Sequence, residues 1–113
     1  MRTIVAGSRS ITDYNTVLEA MYKSGFIFTE VVSGTARGVD KLGELIALDF
    51  GIPIVRFIPN WDKYGRAAGH IRNAEMAEYA DALVAVWDGY SAGTKSMINI
   101  ANKLNLAVYI EMV

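Results

Sequence analysis

Five short apolar or β-branched runs (Thr3 to Ala6, Glu30 to Ser33, Pro53 to Phe57, Ala82 to Trp87 and Ala107 to Ile110) lack the polar alternation of a half-exposed sheet. Strands read this way when both faces are covered, as in a parallel sheet packed between helices. The segments between them have helical spacing. The first starts at Thr12 or Asp13, pairs Val17 with Met21 and Leu18 with Tyr22, and stops at Gly25, so cap, stripe and stop agree. The second follows Gly38, sets Val39, Leu42, Ile46 and Phe50 on one face, and ends at Gly51 ahead of Pro53. The third covers Ala68 to Tyr79, and the fourth covers Thr94 to Leu104 with Met97, Ile98, Ala101 and Leu104 inward. The order βαβαβαβαβ demands right-handed crossovers. The expected fold class is therefore α/β: a Rossmann-like three-layer α/β/α domain on a five-stranded parallel sheet of order 3-2-1-4-5.

A chain of 113 residues has the size of a single domain with one core. Its 52% hydrophobic and 20% charged residues belong to a folded protein and exclude disorder. Only Ile58 to Ala67, with Pro59, Asn60, Trp61, Lys63, Tyr64 and Gly65, reads as a long irregular connection, a kind of segment that is often functional.

The formal net charge of -1 gives no global attraction for a polyanion, so nucleic acid is not an expected partner and phosphate binding must come from a local set of donors. Absence of cysteine excludes disulfides, thiolate nucleophiles and cysteine metal ligands, and fits a cytoplasmic location. His70 is the one histidine, so a zinc site, a Ser-His-Asp triad or a histidine base would each rest on that residue alone. It reads as a cap or surface residue, and neither metal nor cofactor is expected. With no signal-type apolar region and no run of spanning length, the chain is expected to be soluble, unprocessed and off the membrane.

The chemically suggestive residues follow strand ends: Gly7, Ser8 and Arg9 after the first, Gly34 to Gly38 after the second, Asn60 and Trp61 after the third, and Asp88 to Thr94 after the fourth. Ligands of open α/β sheets bind at this edge. Glycines around Thr35 let the backbone turn toward a ligand while amides at the second helix start face an anion. Arg9, Arg37 and Arg72 are candidates for bidentate phosphate contacts. The alternative for any one loop is a tight βα turn with solvated arginines. Gly93 and Thr94, after Ser91, form a second candidate cradle, with Thr94 equally readable as a plain N-cap. Neither glycine cluster is a GxxxxGK[ST] loop or a GxGxxG fingerprint, so ATPase and dehydrogenase readings lack their defining residues. Trp61 is a candidate ligand contact, since the aromatics Trp61 and Tyr64 can stack on a base, although their residue types favour a core or subunit contact; Asn73 can hydrogen-bond a base.

The stretches GSR (7 to 9), VSGTARGVD (32 to 40), WDKYGRAAGHIRNAEM (61 to 76) and WDGYSAGT (87 to 94) resemble the SLOG superfamily, specifically its small YspA-like members. The resemblance implies a Rossmann-like sheet whose strand-end loops bind nucleotides or nucleotide-derived ligands of the ADP-ribose type. It assigns Gly34, Arg37, Gly38 and Asp40 to the second-strand loop and Gly93 and Thr94 to the phosphate loop. Among wider relatives, Lonely Guy phosphoribohydrolases use the glutamate of PGGxGTxxE to cleave an N-glycosidic bond, and the similar stretch here puts Met97 at that position. A thioether exchanges no proton. Asp40 and Asp88 are the candidate catalytic substitutes, with Glu44 and Glu75 accounted for by solvated helix faces. Arg72 with Met76 resembles the RKxxM stretch of those enzymes, and Thr35 stands where a glycine is common.

Two functions follow as expectations. One is a sensor, carrier or sequestering module for a nucleotide-type small molecule; the other is an N-glycosidase acting on nucleoside monophosphates or NAD and ADP-ribose derivatives. A DNA-binding role like that of the related DprA proteins is disfavoured by charge. Association into a homodimer or homotetramer is expected, because SLOG-type domains often associate and a short apolar-rich chain gains core by doing so.

Overall fold

The computed structural model describes residues 1–113. The elements in chain order are β1 (Arg2–Gly7), α1 (Tyr14–Lys23), β2 (Glu30–Ser33), α2 (Val39–Phe50), β3 (Ile54–Arg56), α3 (Trp61–Tyr64) with a 3-10 turn at Gly65–Ala67, α4 (Ala68–Tyr79), β4 (Ala82–Trp87), α5 (Ala92–Lys103) and β5 (Ala107–Met112). All strands pair in parallel in one five-stranded sheet of order β3-β2-β1-β4-β5. This is the expected Rossmann-like α/β arrangement. No helix is long and apolar enough to cross a membrane.

Strand side chains alternate between two helical layers, which is why the strands show no polar alternation. Ile4, Ala6, Leu83 and Ala85 pack with Met76, Ala77, Met97, Ile98 and Ala101 of α4 and α5. Val5, Val31, Val84 and Val86 pack on the other face with Val17, Ala20 and Met21 of α1 and Val39, Ile46 and Ala47 of α2. β1 and β4 lie side by side from Thr3↔Ala82 to Gly7↔Val86, so their carboxyl ends finish level.

Several sequence-based readings are corrected. On α2, Phe50 is exposed and Leu42 only half-buried; the buried side is Val39, Asp40, Gly43, Glu44, Ile46 and Ala47. The reason lies in Gly43, where an added Cβ would come within 2.8 Å of Val5 Cγ1, so the helix rolls its glycine onto the sheet. Leu104 and Tyr22 are likewise exposed. The connection at 58–67 is largely helical, started by Asn60, whose side chain accepts from the Lys63 amide at 3.1 Å. Flanking Pro59 and Gly65 hide so short a helix from a periodicity argument. α5 begins at Ala92 with Ser91 as N-cap, ahead of the expected Thr94, and the Ser91 carbonyl accepts from Lys95 N at 3.1 Å.

Candidate functional site

The sheet reverses its winding direction between β1 and β4, and the space outside their carboxyl ends is the switch point at which open α/β sheets place ligands. A cleft opens there. It is lined by Ala6, Gly7, Arg9, Ala36, Asp40, Arg72, Asn73, Met76, Ser91, Gly93, Thr94 and Met97. Its volume is about 70 Å³, far below the roughly 300–1,000 Å³ of a pocket that engulfs a drug-sized molecule. One compact group fits inside; anything larger must run out over the rim.

Arg72, on the first turns of α4, is the central polar side chain. Its Nε donates to Asn73 Oδ1 at 2.9 Å and its Nη1 donates to the Gly34 carbonyl, which fixes the guanidinium across the cleft. Asn73 in turn donates from Nδ2 to the Gly93 carbonyl at 3.3 Å, tying α4 to the start of α5. Burial lowers the Arg72 pKa; Asp40 opposes this and Arg9 adds to it, so the two guanidiniums feel each other. Asp40 is almost wholly buried and accepts from the Ala36 amide at 3.1 Å. Burial pushes its carboxyl up to about 6, against the pull of the Ala36 N–H and of Arg72 and with a smaller push from Glu44. The charged groups facing the cleft are thus two arginines and one carboxylate.

The loop after β4 reaches the cleft through a set of internal bonds. Asp88 Oδ1 accepts from the amides of Tyr90 at 2.8 Å and Ser91 at 2.9 Å, and these N–H groups, Ser91 first, hold its carboxyl below the usual range. Trp87 Nε1 donates to the Ser91 carbonyl at 3.1 Å. Buried Thr94 sets its hydroxyl 3.2 Å from Ser91 Oγ, while no side chain caps the first-turn amides of α5. Those amides carry the partial positive charge of a helix start.

Gly7, Arg9, Asp40, Arg72, Asn73, Ser91, Gly93 and Thr94, singled out in the sequence, meet in this cleft. Ser8 does not line it: the side chain is buried and its Oγ accepts from Asp88 N at 3.1 Å, which joins the ends of β1 and β4. Gly34 contributes its carbonyl to Arg72. Thr35 sits at a φ of 67° with its amide on Ser33 Oγ at 3.1 Å. Gly38, at φ 72°, passes so close to the loop after β1 that a Cβ would lie 2.5 Å from the Ser8 carbonyl. The first amide of α2, on Val39, points at that same Ser8 carbonyl, 3.5 Å away, so this one N–H of the helix start is turned to the loop after β1.

Arg37 is exposed and outside the cleft, as is Asn60, whose side chain caps α3. Trp61 and Tyr64 are exposed rather than core residues. Trp61 does not line the cleft, but its ring comes near Arg72, since Trp61 Cη2 and Arg72 Nη2 both lie within 4 Å of the point where Gly69 would carry a Cβ. Asp88 is outside the cleft with one oxygen committed to its own loop. Glu44 is not on a solvated face: it is buried, accepting from Ser33 Oγ at 2.6 Å and Arg56 Nε at 2.9 Å. His70 lies outside, with Nδ1 3.0 Å from Ser96 Oγ. Nowhere do three or more His, Asp or Glu side chains gather as a metal site would need.

Ala6, Ala36, Met76 and Met97 complete the lining without having been singled out as ligand contacts. Helical spacing could have found two of them, because Met76 is four residues beyond Arg72 and Met97 three beyond Thr94.

Fold and cleft together define a parallel α/β domain with an arginine-lined cleft at its switch point. Over 117 aligned positions the chain is 31% identical to the Gene 61 protein of Mycobacterium phage D29, covering 95% of this chain and 93% of that protein. The chain belongs to the family of that Gene 61 protein. No family model matches it, and no solved structure does.

Proposed function

We propose that this chain binds a nucleotide or nucleotide-derived ligand, seating a phosphate in the cleft and running the remainder across the rim past Trp61. The observation that carries the reading is the charge inventory of the cleft: Arg9 and Arg72 against Asp40 alone, beside the uncapped first turn of α5. A net positive site in a chain of net charge -1 suits a small anion. The cleft volume suits a phosphate-sized group, and the resemblance of the loop residues to SLOG domains points the same way. Such a module senses, carries or sequesters its ligand and needs no general acid.

The test is calorimetric titration with ADP-ribose and with nucleoside monophosphates, on wild type and Arg72→Ala. Losing a charge-assisted hydrogen bond costs about 1.5–3 kcal/mol, so affinity should fall roughly ten- to hundredfold. No binding of any of these compounds by wild type, or equal affinity in the variant, would refute the reading.

Asp40 supports a second reading, hydrolysis of an N-glycosidic bond. Its carboxyl is raised to about 6 inside the cleft, near the working range of a general acid, and Met97 also faces that space. Asp88, outside the cleft and held ionised by its loop, is the weaker candidate. Release of free base from nucleoside monophosphates, abolished in Asp40→Asn, would select this reading over simple binding.

A further inference from the structure

β5 closes one side of the sheet. Its one strand neighbour is β4, and its other edge has none. Ala107 N donates to the Asp81 carbonyl at 3.2 Å and Val113 N to the Trp87 carbonyl at 3.0 Å, both toward β4. Backbone groups alternate sides along a strand, so the odd-numbered residues of β5 bond inward. Val108, Ile110 and Met112 then turn their N–H and C=O groups outward. Exposed edges of this kind are usually blunted by proline, lysine or a bulge. The run AVYIEM contains neither proline nor lysine, pairs with β4 without interruption, and leaves Ile110 39% and Met112 56% exposed.

We propose that β5 pairs antiparallel with β5 of a second copy of this chain, across a two-fold axis at Ile110, joining two sheets into one. The inference does not depend on the ligand reading. Three features favour a second copy as occupant. A two-fold contact sets a surface against itself, and antiparallel strand pairing is the form a two-fold axis allows. Outward groups must face outward groups, which requires the axis to pass through a residue rather than between two. Of the possible centres, Ile110 alone gives full self-complementarity: Ile110 meets Ile110 of the second copy and Val108 meets Met112 on one face, while Tyr109 meets Glu111 on the other. Within each chain the Tyr109 hydroxyl already donates to Glu111 Oε1 at 2.9 Å and Lys23 lies 3.8 Å from the same carboxylate, so this face brings no unpaired charge to the contact. Centring on Glu111 would set like charges opposite each other, and centring on Tyr109 would push Met112 beyond the strand, against Leu106.

The test is the solution mass of the chain over a concentration series, by light scattering coupled to gel filtration. Wild type should reach about twice its 12.4 kDa. Ile110→Pro deletes an outward N–H that has no partner within the chain, and Ile110→Lys sets like charges on the axis; both should run at the monomer mass with an unchanged circular dichroism spectrum. Should the proline variant fail to fold, the lysine variant and a crosslink decide. Ile110→Cys would be the chain's one cysteine, and directly bonded antiparallel partners have Cα atoms about 5.5 Å apart, which puts the two thiols within reach of a short bis-maleimide. Treatment with that reagent should therefore yield a covalent dimer. Tyr22→Cys, on the rival apolar surface of Leu18, Phe26 and Phe50, should not crosslink. A wild type that stays at 12.4 kDa, a dimer that survives Ile110→Pro, or crosslinking through Tyr22→Cys in place of Ile110→Cys would overturn the proposal.

Discussion

Replacing Asp40 with Asn should change how stability depends on pH. The carboxyl titrates at 3.8 in an unfolded chain and at about 6 in the fold, chiefly because it is buried among Ala36, Arg72 and the first turn of α2. The folded state therefore binds this proton more tightly, and the group favours folding most below pH 3.8, where both states hold it. As pH rises toward and past 6 that contribution is lost, and the distance between the two values, at 1.36 kcal/mol per pH unit, makes the loss about 3 kcal/mol. Asparagine keeps an oxygen for the Ala36 amide and has no proton to lose. The stability of Asp40→Asn minus that of wild type should thus rise by about 3 kcal/mol between pH 3.8 and pH values above 6. Urea melts of both proteins at matched pH isolate this difference, because titrations elsewhere cancel, and it corresponds to a midpoint shift on the order of 1–3 M. A difference that stays flat across the range, or one that falls, would refute the account of Asp40 as a carboxylate whose ionisation strains the fold.

Gly34→Ala places a Cβ 2.8 Å from Arg72 Nη1 and 3.0 Å from Asp40 Oδ2. The arginine end is flexible, so the fold should lose no more than about 1 kcal/mol while ADP-ribose affinity, by calorimetry, drops as it does for Arg72→Ala. Thr35→Gly should raise the urea midpoint, since a β-branched residue held at φ 67° costs about 1–2 kcal/mol that glycine does not. Gly43→Ala should cost about 1–3 kcal/mol of stability, read as a lower urea midpoint, as the new methyl meets Val5 Cγ1 at 2.8 Å, and a neutral result there would refute the packing of α2 on β1. Lowering pH through 6 should strengthen ADP-ribose binding, because protonating Asp40 removes the cleft's one negative charge while the bridging pyrophosphate keeps its own; calorimetry at pH 5 and pH 8 on wild type and Asp40→Asn reads the effect.

Strands were the most legible part of the chain, because burial on both faces writes itself as uninterrupted Val, Ile, Leu and Ala, and β4 runs from Ala82 to Trp87 as its composition predicts. Helix faces were less so. α2 carries apolar residues nearly all round, and the inward direction is chosen by Gly43, a residue whose contribution is the absence of a side chain. The cleft was readable in outline through its strand-end position. What composition could not separate was which polar residues face the space and which hold the loops: Asp40 and Asp88 look alike in sequence, yet one is buried against Arg72 and the other accepts two amides of its own turn. Glu44 misled for the same reason, since only the fold brings Ser33 and Arg56 to it across α2, β2 and β3.

That division of labour explains how a chain with more acidic than basic residues makes a positive cleft. Asp88 is consumed by its turn, Glu44 by Ser33 and Arg56, and Ser8 by the Asp88 amide. Each of these bonds fixes a loop at the carboxyl edge and at the same time keeps an acceptor away from the shared space. Arg72 is treated the other way: its Nε and Nη1 are anchored on Asn73 and Gly34, and Nη2 lies on the side toward Gly69 and Trp61. Because the anchors are a neutral amide and a backbone carbonyl rather than a carboxylate, the guanidinium is held in place without being neutralised. Asp40 is the single acid left beside it, and burial raises its carboxyl to about 6, so even that charge fades as pH falls through that value. The sign of the cleft therefore follows from where the carboxylates are spent, not from how many the chain has.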